Sequence, residues 1–314
     1  MSHVYYGHHK CASTWIREVV EQVLREAGYA YGLVLDPQSP AGRGPLTDYT
    51  RTFERADLNA HVESLNLDFV SCITADDEHA ASMSNAKGFH VIRDPRDILV
   101  SGYFSHRNSH TTDGLPHHAA HREQLQALPK SEGLLLEMDF SSQCINDLAG
   151  WNYDRPNVLE VKMEQLTQAP YEGFLDIFEF LDLMSWDGAY LMPDKVKHFL
   201  RVAVNRFSQR HPWLAPLRSK VDVTGEMLLG RVYDLRFEKK TGGRKAGETN
   251  VKSHYRKGVA GDWINHFTEE HAAAFNERFG DVLVRTGYES EPWTVERFLH
   301  QKEAHGADAA LSPA

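Results

Sequence analysis

Extended and helical spacings of apolar residues alternate along this chain. A short β-branched and aromatic run through Val4-Tyr5-Tyr6 reads as a strand ending at Gly7. After a polar turn, Ile16, Val19, Val20, Val23, Leu24 and Ala27 recur at helical spacing, and Gly28 can stop the helix. Gly88-Phe89-His90-Val91-Ile92 reads as a buried strand that runs into a helix start. There Asp94 suits the N-cap, Pro95 the first helical position, and Asp97 follows three residues after the cap. Asp68 to Ile73 and Asn157 to Val161 give two more strands, and Pro170 to Met184 gives a helix. Phe174, Ile177, Phe178 and Leu181 share one face of that helix, as core residues do. This rhythm predicts an α/β fold.

Two stretches break the rhythm. Residues 107–143 open with loop-like Asn108 to Gly114 and continue in helical pattern from Leu115 to Leu136. Their place after the helix that starts at Pro95 suggests a cap over an acceptor site, with a structural insertion as the other reading. Residues 242–255 are rich in glycine and charge and are expected to form a mobile lid. A single domain is expected over 1–300, with a frayed tail at 301–314.

The turn after the first strand carries the chemistry. Gly7-His8-His9-Lys10-Cys11-Ala12-Ser13-Thr14 fits the frame of the nucleotide phosphate loop, G-x-x-x-x-G-K-[ST]. Ala12 stands at the second glycine and Ser13 at the lysine that would reach β- and γ-phosphates. The only lysine, Lys10, lies inside the loop. Such a loop at a helix N-terminus suits an anion, here a nucleotide with a single 5′-phosphate that carries something other than a phosphoryl chain. Arg93, at the carboxyl end of its strand, and Ser101, about two helical turns on, suit a second phosphate. Arg256-Lys257-Gly258, ahead of Gly261-Asp262-Trp263, has the cations of a third anion-binding segment.

Together these segments resemble the PAPS-dependent sulfotransferases. Lys10 to Trp15 resembles their P-K-S-G-T-T-W loop, Arg93 to Asp97 with Ser101 their R-[ND]-P-[KR]-D segment and its serine, and Arg256 to Trp263 their R-K-G-x-x-G-D-W signature. The resemblance implies a P-loop-like three-layer α/β/α fold with a central parallel sheet and a helical cap insertion. It implies transfer of a sulfuryl group from PAPS to an acceptor hydroxyl or amine by in-line displacement, releasing PAP. By the same resemblance Lys10 contacts the phosphosulfate and stabilises the leaving oxygen. Cys11, Ala12, Ser13 and Thr14 cradle the 5′-phosphate, and Trp15 stacks on adenine. Arg93, Ser101, Arg256, Lys257 and Gly258 hold the 3′-phosphate. Met163 falls where relatives place a tyrosine against adenine. His9 replaces a proline and Ala12 a glycine, and helical backbone at Ala12 is expected to tolerate the methyl. Of the dimerisation pattern of cytosolic relatives, K-x-x-x-T-V-x-x-x-E, only Thr268 survives, so the oligomeric state is left open.

The family's K-T-H histidine has no counterpart on the strand Asp68 to Ile73. Just past it lie Asp76, Asp77, Glu78 and His79, and of these His79 is the chosen general base. A solvated helix start is the plain alternative, and His61 and the histidines of 106–121 stay open as candidates.

Composition bounds the rest. The chain has 314 residues, 41% hydrophobic and 25% charged, enough for a sizeable core. Three cysteines, no leader and no apolar run near the about 20 residues of a spanning helix lead us to expect a cytoplasmic protein without a membrane span. A net charge of −10 argues against a nucleic-acid binder. The cluster His106, His110, His117, His118, His121 follows no compact ligand pattern, and no metal is expected. The expected partner is a small-molecule or glycan acceptor. A nucleotide or small-molecule kinase and a catalytically inactive PAP-binding regulatory protein are the alternatives.

Overall fold

The computed structural model describes residues 2–34, 57–184 and 192–311. Along the chain run β1 (His3–Gly7), α1 (Ser13–Glu26), β2 (Tyr31–Val34), α2 (Leu58–Ser64), β3 (Phe69–Cys72), α3 (Asp77–Ser82), β4 (Lys87–Ile92) and α4 (Pro95–Asn108). Then come α5 (Pro116–Ala127), α6 (Lys130–Phe140), α7 (Ser142–Gly150), β5 (Val158–Lys162), α8 (Met163–Gln168), α9 (Pro170–Phe180) and α10 (Met192–Arg210). The last helices are α11 (Gly225–Asp234), α12 (Phe237–Lys240), α13 (Glu269–Phe279), α14 (Val282–Arg285) and α15 (Val295–Leu311).

Contacts divide the chain into two compact units, residues 1–91 with 152–243 and residues 92–151 with 244–314. The first is built on a sheet of order β2-β3-β1-β4-β5, parallel at β2/β3, β3/β1 and β1/β4. Helices flank it, as in P-loop-like α/β proteins. The apolar stripe read from the sequence makes this core: Ile16, Val19, Val20, Val23 and Leu24 of α1 pack with Tyr5, Phe89 and the Phe174, Ile177, Phe178, Leu181 face of α9. Each of these residues is fully buried. Gly7 is small because Tyr5 folds back on it: a Cβ there would lie 2.5 Å from the Tyr5 hydroxyl.

The second unit is helical. Leu99, Val100 and Tyr103 of α4 pack with Leu134 and Met138 of α6 and with Trp263, Phe267, Phe275 and Trp293. The helix expected from Leu115 to Leu136 is two helices, because Leu128 is extended and Pro129 restarts the chain as the N-cap of α6. The tail expected to fray is helical as far as Leu311, and positions 312–314 lie outside the described residues. β2, α10 and α11 had no sequence signal assigned to them. No described helix is long and apolar enough to cross a membrane.

Candidate active site

In the first unit the turn between β1 and α1 is wound by two left-handed residues, Lys10 (φ 64°) and Ala12 (φ 57°). Neither is glycine, so each carries a steric cost of about 1–2 kcal/mol. Ala12 therefore corrects the sequence reading: it is not in helical backbone but in the region that favours the glycine it replaces. The Cys11 amide donates to the His8 carbonyl and closes the turn (3.3 Å). The first helical bond runs from the Ile16 amide to the Ala12 carbonyl, so the Ser13, Thr14 and Trp15 amides precede the first intrahelical donor. Two further donors by this turn, the Tyr5 hydroxyl and the Trp15 indole N–H, are buried with no hydrogen-bond partner among the described residues. Burial drives the Tyr5 phenol far up, so it keeps its proton. Trp15 also packs edge-on against Phe174, with ring centroids 5.3 Å apart. These features build a donor-rich cradle for an anion.

Beside it the Ala75 amide donates to the Gly7 carbonyl (2.9 Å), which sets the start of α3 against the end of β1. Asp76 is the N-cap of α3. Its Oδ1 accepts from the His79 amide (3.0 Å) and lies 2.7 Å from His79 Nδ1, and both side chains are buried. Asp77 is committed elsewhere, since it takes a two-pronged bond from Arg155 (2.7 and 2.9 Å) that lowers its pKa. His61 lies on α2.

Sequence reasoning missed a relay below the turn. His8 Nε2 and His90 Nε2 lie 2.7 Å apart, and His90 Nδ1 lies 2.6 Å from Glu160 Oε2. The carboxylate fixes His90 as the Nδ1–H tautomer, leaving its Nε2 to accept from His8. Burial drives His8 well below the ordinary histidine range; His90 opposes its charge and Asp76 favours it. Burial, helped by Arg155, lowers His90 to about 3. The signal available in the sequence was a lone polar residue in an otherwise apolar strand. Met163, the expected adenine neighbour, is the first residue of α8 and packs into the core.

In the second unit, Asp94 caps α4 by accepting from the Arg96 amide (2.9 Å), and Pro95 opens the helix. Arg96 is structural: it bonds Asp94 and Glu289 (2.7 and 2.8 Å) and sits 4.0 Å over the Trp263 ring. Asp97 does not cap its own helix. Its carboxylate accepts from the Gly261 and Trp263 amides (2.6 and 2.9 Å) and lies 3.8 Å from Arg93. Burial raises its carboxyl, and Arg93 pulls it back. The R-D-P-R-D and R-K-G segments are thus brought together through Asp97, with Ser101 farther along α4. Gly258 and Gly261 turn the loop at φ 68° and 74°. Asp262 holds Arg256 and Lys257, each at 2.6 Å. Burial would raise this carboxyl, but hydrogen bonds from His266, Lys257 and Arg256 outweigh it and hold it far below the carboxylate range. The expected lid is organised by Arg244, which donates to the Glu248, Tyr255 and Arg256 carbonyls and to Ser253 Oγ. Thr268, kept from the family's dimer pattern, caps α13 here.

The family model described as the sulfotransferase domain matches residues 6–200. Sulfotransferase 2A6 of Mus musculus is 26% identical over 212 residues, covering 67% of this chain and 61% of that protein. The 3-alpha-hydroxysteroid sulfotransferase of Cavia porcellus is 26% identical over 202 residues, 64% of this chain and 57% of that protein. The chain thus spans less than two thirds of the length of these relatives. Among solved structures, mouse sulfotransferase SULT7A1 complexed with PAP superposes with a TM-score of 0.51 at 16% identity. The match covers 96% of this chain and 88% of that one, and it shows a shared fold.

Proposed function

We propose that this chain, which belongs to the sulfotransferase domain family, is an enzyme that moves a sulfuryl group from PAPS to the hydroxyl of a small molecule and releases PAP. The observation that carries this reading is the turn after β1. It combines backbone amides at a helix N-terminus, buried unpartnered donors at Tyr5 and Trp15, and a lysine inside the loop instead of at the position that serves a phosphoryl chain.

PAPS supplies the sulfuryl group, and the residues do the rest. In the first unit the Ser13, Thr14 and Trp15 amides and the Ser13 and Thr14 hydroxyls hold the 5′-phosphate, with Cys11 and Ala12 shaping the turn. Trp15 lies against adenine. The Lys10 ammonium meets the charge that develops on the leaving oxygen. His79, oriented by Asp76, takes the acceptor's proton. In the second unit Arg93, Ser101, Arg256, Lys257 and Gly258 hold the 3′-phosphate, and Asp262 keeps the two cations of the loop in place until the phosphate arrives. Loop 242–255 acts as the lid, and 107–143 as the acceptor-side cap. A hydroxysteroid is a reasonable first acceptor because one relative is named for that substrate. Among the described residues Cys11, Cys72 and Cys144 form no disulfide, which accords with a reducing, cytoplasmic setting.

The test is incubation with sulfur-labelled PAPS and a panel of hydroxysteroids, phenols and aliphatic alcohols. Label on an acceptor with equimolar PAP supports the proposal. Phosphate transfer from ATP to the same panel, or PAP binding with no transfer to any acceptor, overturns it.

A further inference from the structure

The second unit buries a carboxylate that, among the described residues, has no permanent counter-charge in its hydrogen-bonding shell. Glu137 on α6 is fully buried. Its Oε1 lies 2.9 Å and its Oε2 3.0 Å from His106 Nδ1 of α4, Oε2 lies 2.9 Å from His121 Nε2 of α5, and Oε1 accepts from Ser141 Oγ at 2.6 Å. Two of these partners are imidazoles and the third is a hydroxyl, so none is an obligate cation. His106 and His121 are themselves buried. Room for the carboxylate depends on Gly102 of α4, where a Cβ would meet Glu137 Oε1 at 2.4 Å. A fully buried carboxylate without a fixed positive partner is costly unless something neutralises it.

We propose that His106, His121 and Glu137 form a binding site for a divalent transition-metal cation of the zinc class. One ligand atom from each residue falls within 4.8 Å of the other two. Two nitrogens and a carboxylate oxygen are the donors such a cation takes, through His106 Nδ1, His121 Nε2 and one Glu137 oxygen. In a tetrahedral site with bonds of about 2.0–2.1 Å, ligand atoms stand about 3.3 Å apart. The histidine–carboxylate separations of 2.9–3.0 Å need to open by only a few tenths of an ångström, and the two imidazole nitrogens lie within 4.8 Å of each other. On binding, each imidazole carries its proton on the other ring nitrogen, and the cation replaces two N–H···O contacts. Ser141 still donates to the carboxylate and orients it. The three ligands come from three helices, so the cation ties α4 to α5 and α6. The sequence hid this because the ligands are separated by fifteen and sixteen positions and only the fold converges them.

The test uses the full chain, stripped with chelator and titrated with Zn²⁺ alone. Saturation at one equivalent with sub-micromolar affinity is expected. A rise in thermal midpoint should accompany it. In His106→Ala/His121→Ala this step disappears, and in Glu137→Gln it weakens at least tenfold, while His79→Ala keeps it. Because the double variant leaves a cavity that destabilises the fold by itself, the wild type is also read by zinc X-ray absorption. Two imidazoles and oxygen at about 2.0 Å support the site. An all-oxygen or single-imidazole shell, no saturable step, or a step that persists in the folded double variant overturns it.

Discussion

Replacing Asp97 tests how the R-K-G loop is built. Among the described residues this buried carboxylate is the acceptor for the Gly261 and Trp263 amides, at 2.6 and 2.9 Å, and it faces Arg93 at 3.8 Å. Asp97→Ala leaves two amides without an acceptor, at about 1–3 kcal/mol each, and uncouples a largely buried guanidinium. The expected loss is about 3–5 kcal/mol, the range for breaking a buried pair from one side. Asp97→Asn keeps one oxygen acceptor but turns an NH₂ toward the second amide, so a smaller loss of about 2 kcal/mol is expected. Urea unfolding gives the totals, and hydrogen exchange at Gly261 and Trp263 locates them. Protection at those two amides should fall in both variants, more in alanine. An alanine variant within 1 kcal/mol of wild type, or unchanged exchange at both amides, refutes the role given to Asp97.

Ala12→Gly should stabilise the chain by about 1 kcal/mol, because φ 57° costs alanine what glycine does not feel; a destabilised variant in thermal unfolding contradicts the left-handed turn. His90 is held neutral down to about 3, whereas an unfolded histidine protonates near 6.5, so the unfolded state gains its proton first. Stability is therefore complete above about pH 6.5 and is lost as pH falls toward 3, by on the order of 5 kcal/mol from this group, and His90→Asn should flatten that acid limb in a denaturation series. Lys10→Ala should lower turnover at least 100-fold with the fold intact by circular dichroism. His79→Ala should lower kcat by about 10²–10⁴; near-wild-type turnover shifts the base to another group.

The frame of the site was readable because it rests on local rules. The strand–turn–helix at Gly7, the Asp94-Pro95 helix start and the Arg256 to Trp263 signature are short-range patterns, and each folds as its spacing requires. What was not readable depends on long-range pairing. Asp97 looked like part of its own helix start, yet it serves amides 164 and 166 positions away. The His8–His90–Glu160 relay joins three separate elements. Ala12 misled because its identity is compatible with helix, and only the backbone angle of the closed turn shows the left-handed twist. The 115–136 pattern was periodic throughout, and the break at Pro129 came from a single residue that outweighs its neighbours.

Calorimetry with PAP, ADP and ATP, each with and without Mg²⁺, tests the central claim most directly. The loop at Lys10 and the cations Arg93, Arg256 and Lys257 predict tight, magnesium-independent binding of PAP. They also predict ADP and ATP binding at least tenfold weaker, since neither carries a 3′-phosphate. Magnesium-dependent ATP binding that exceeds PAP would contradict the account.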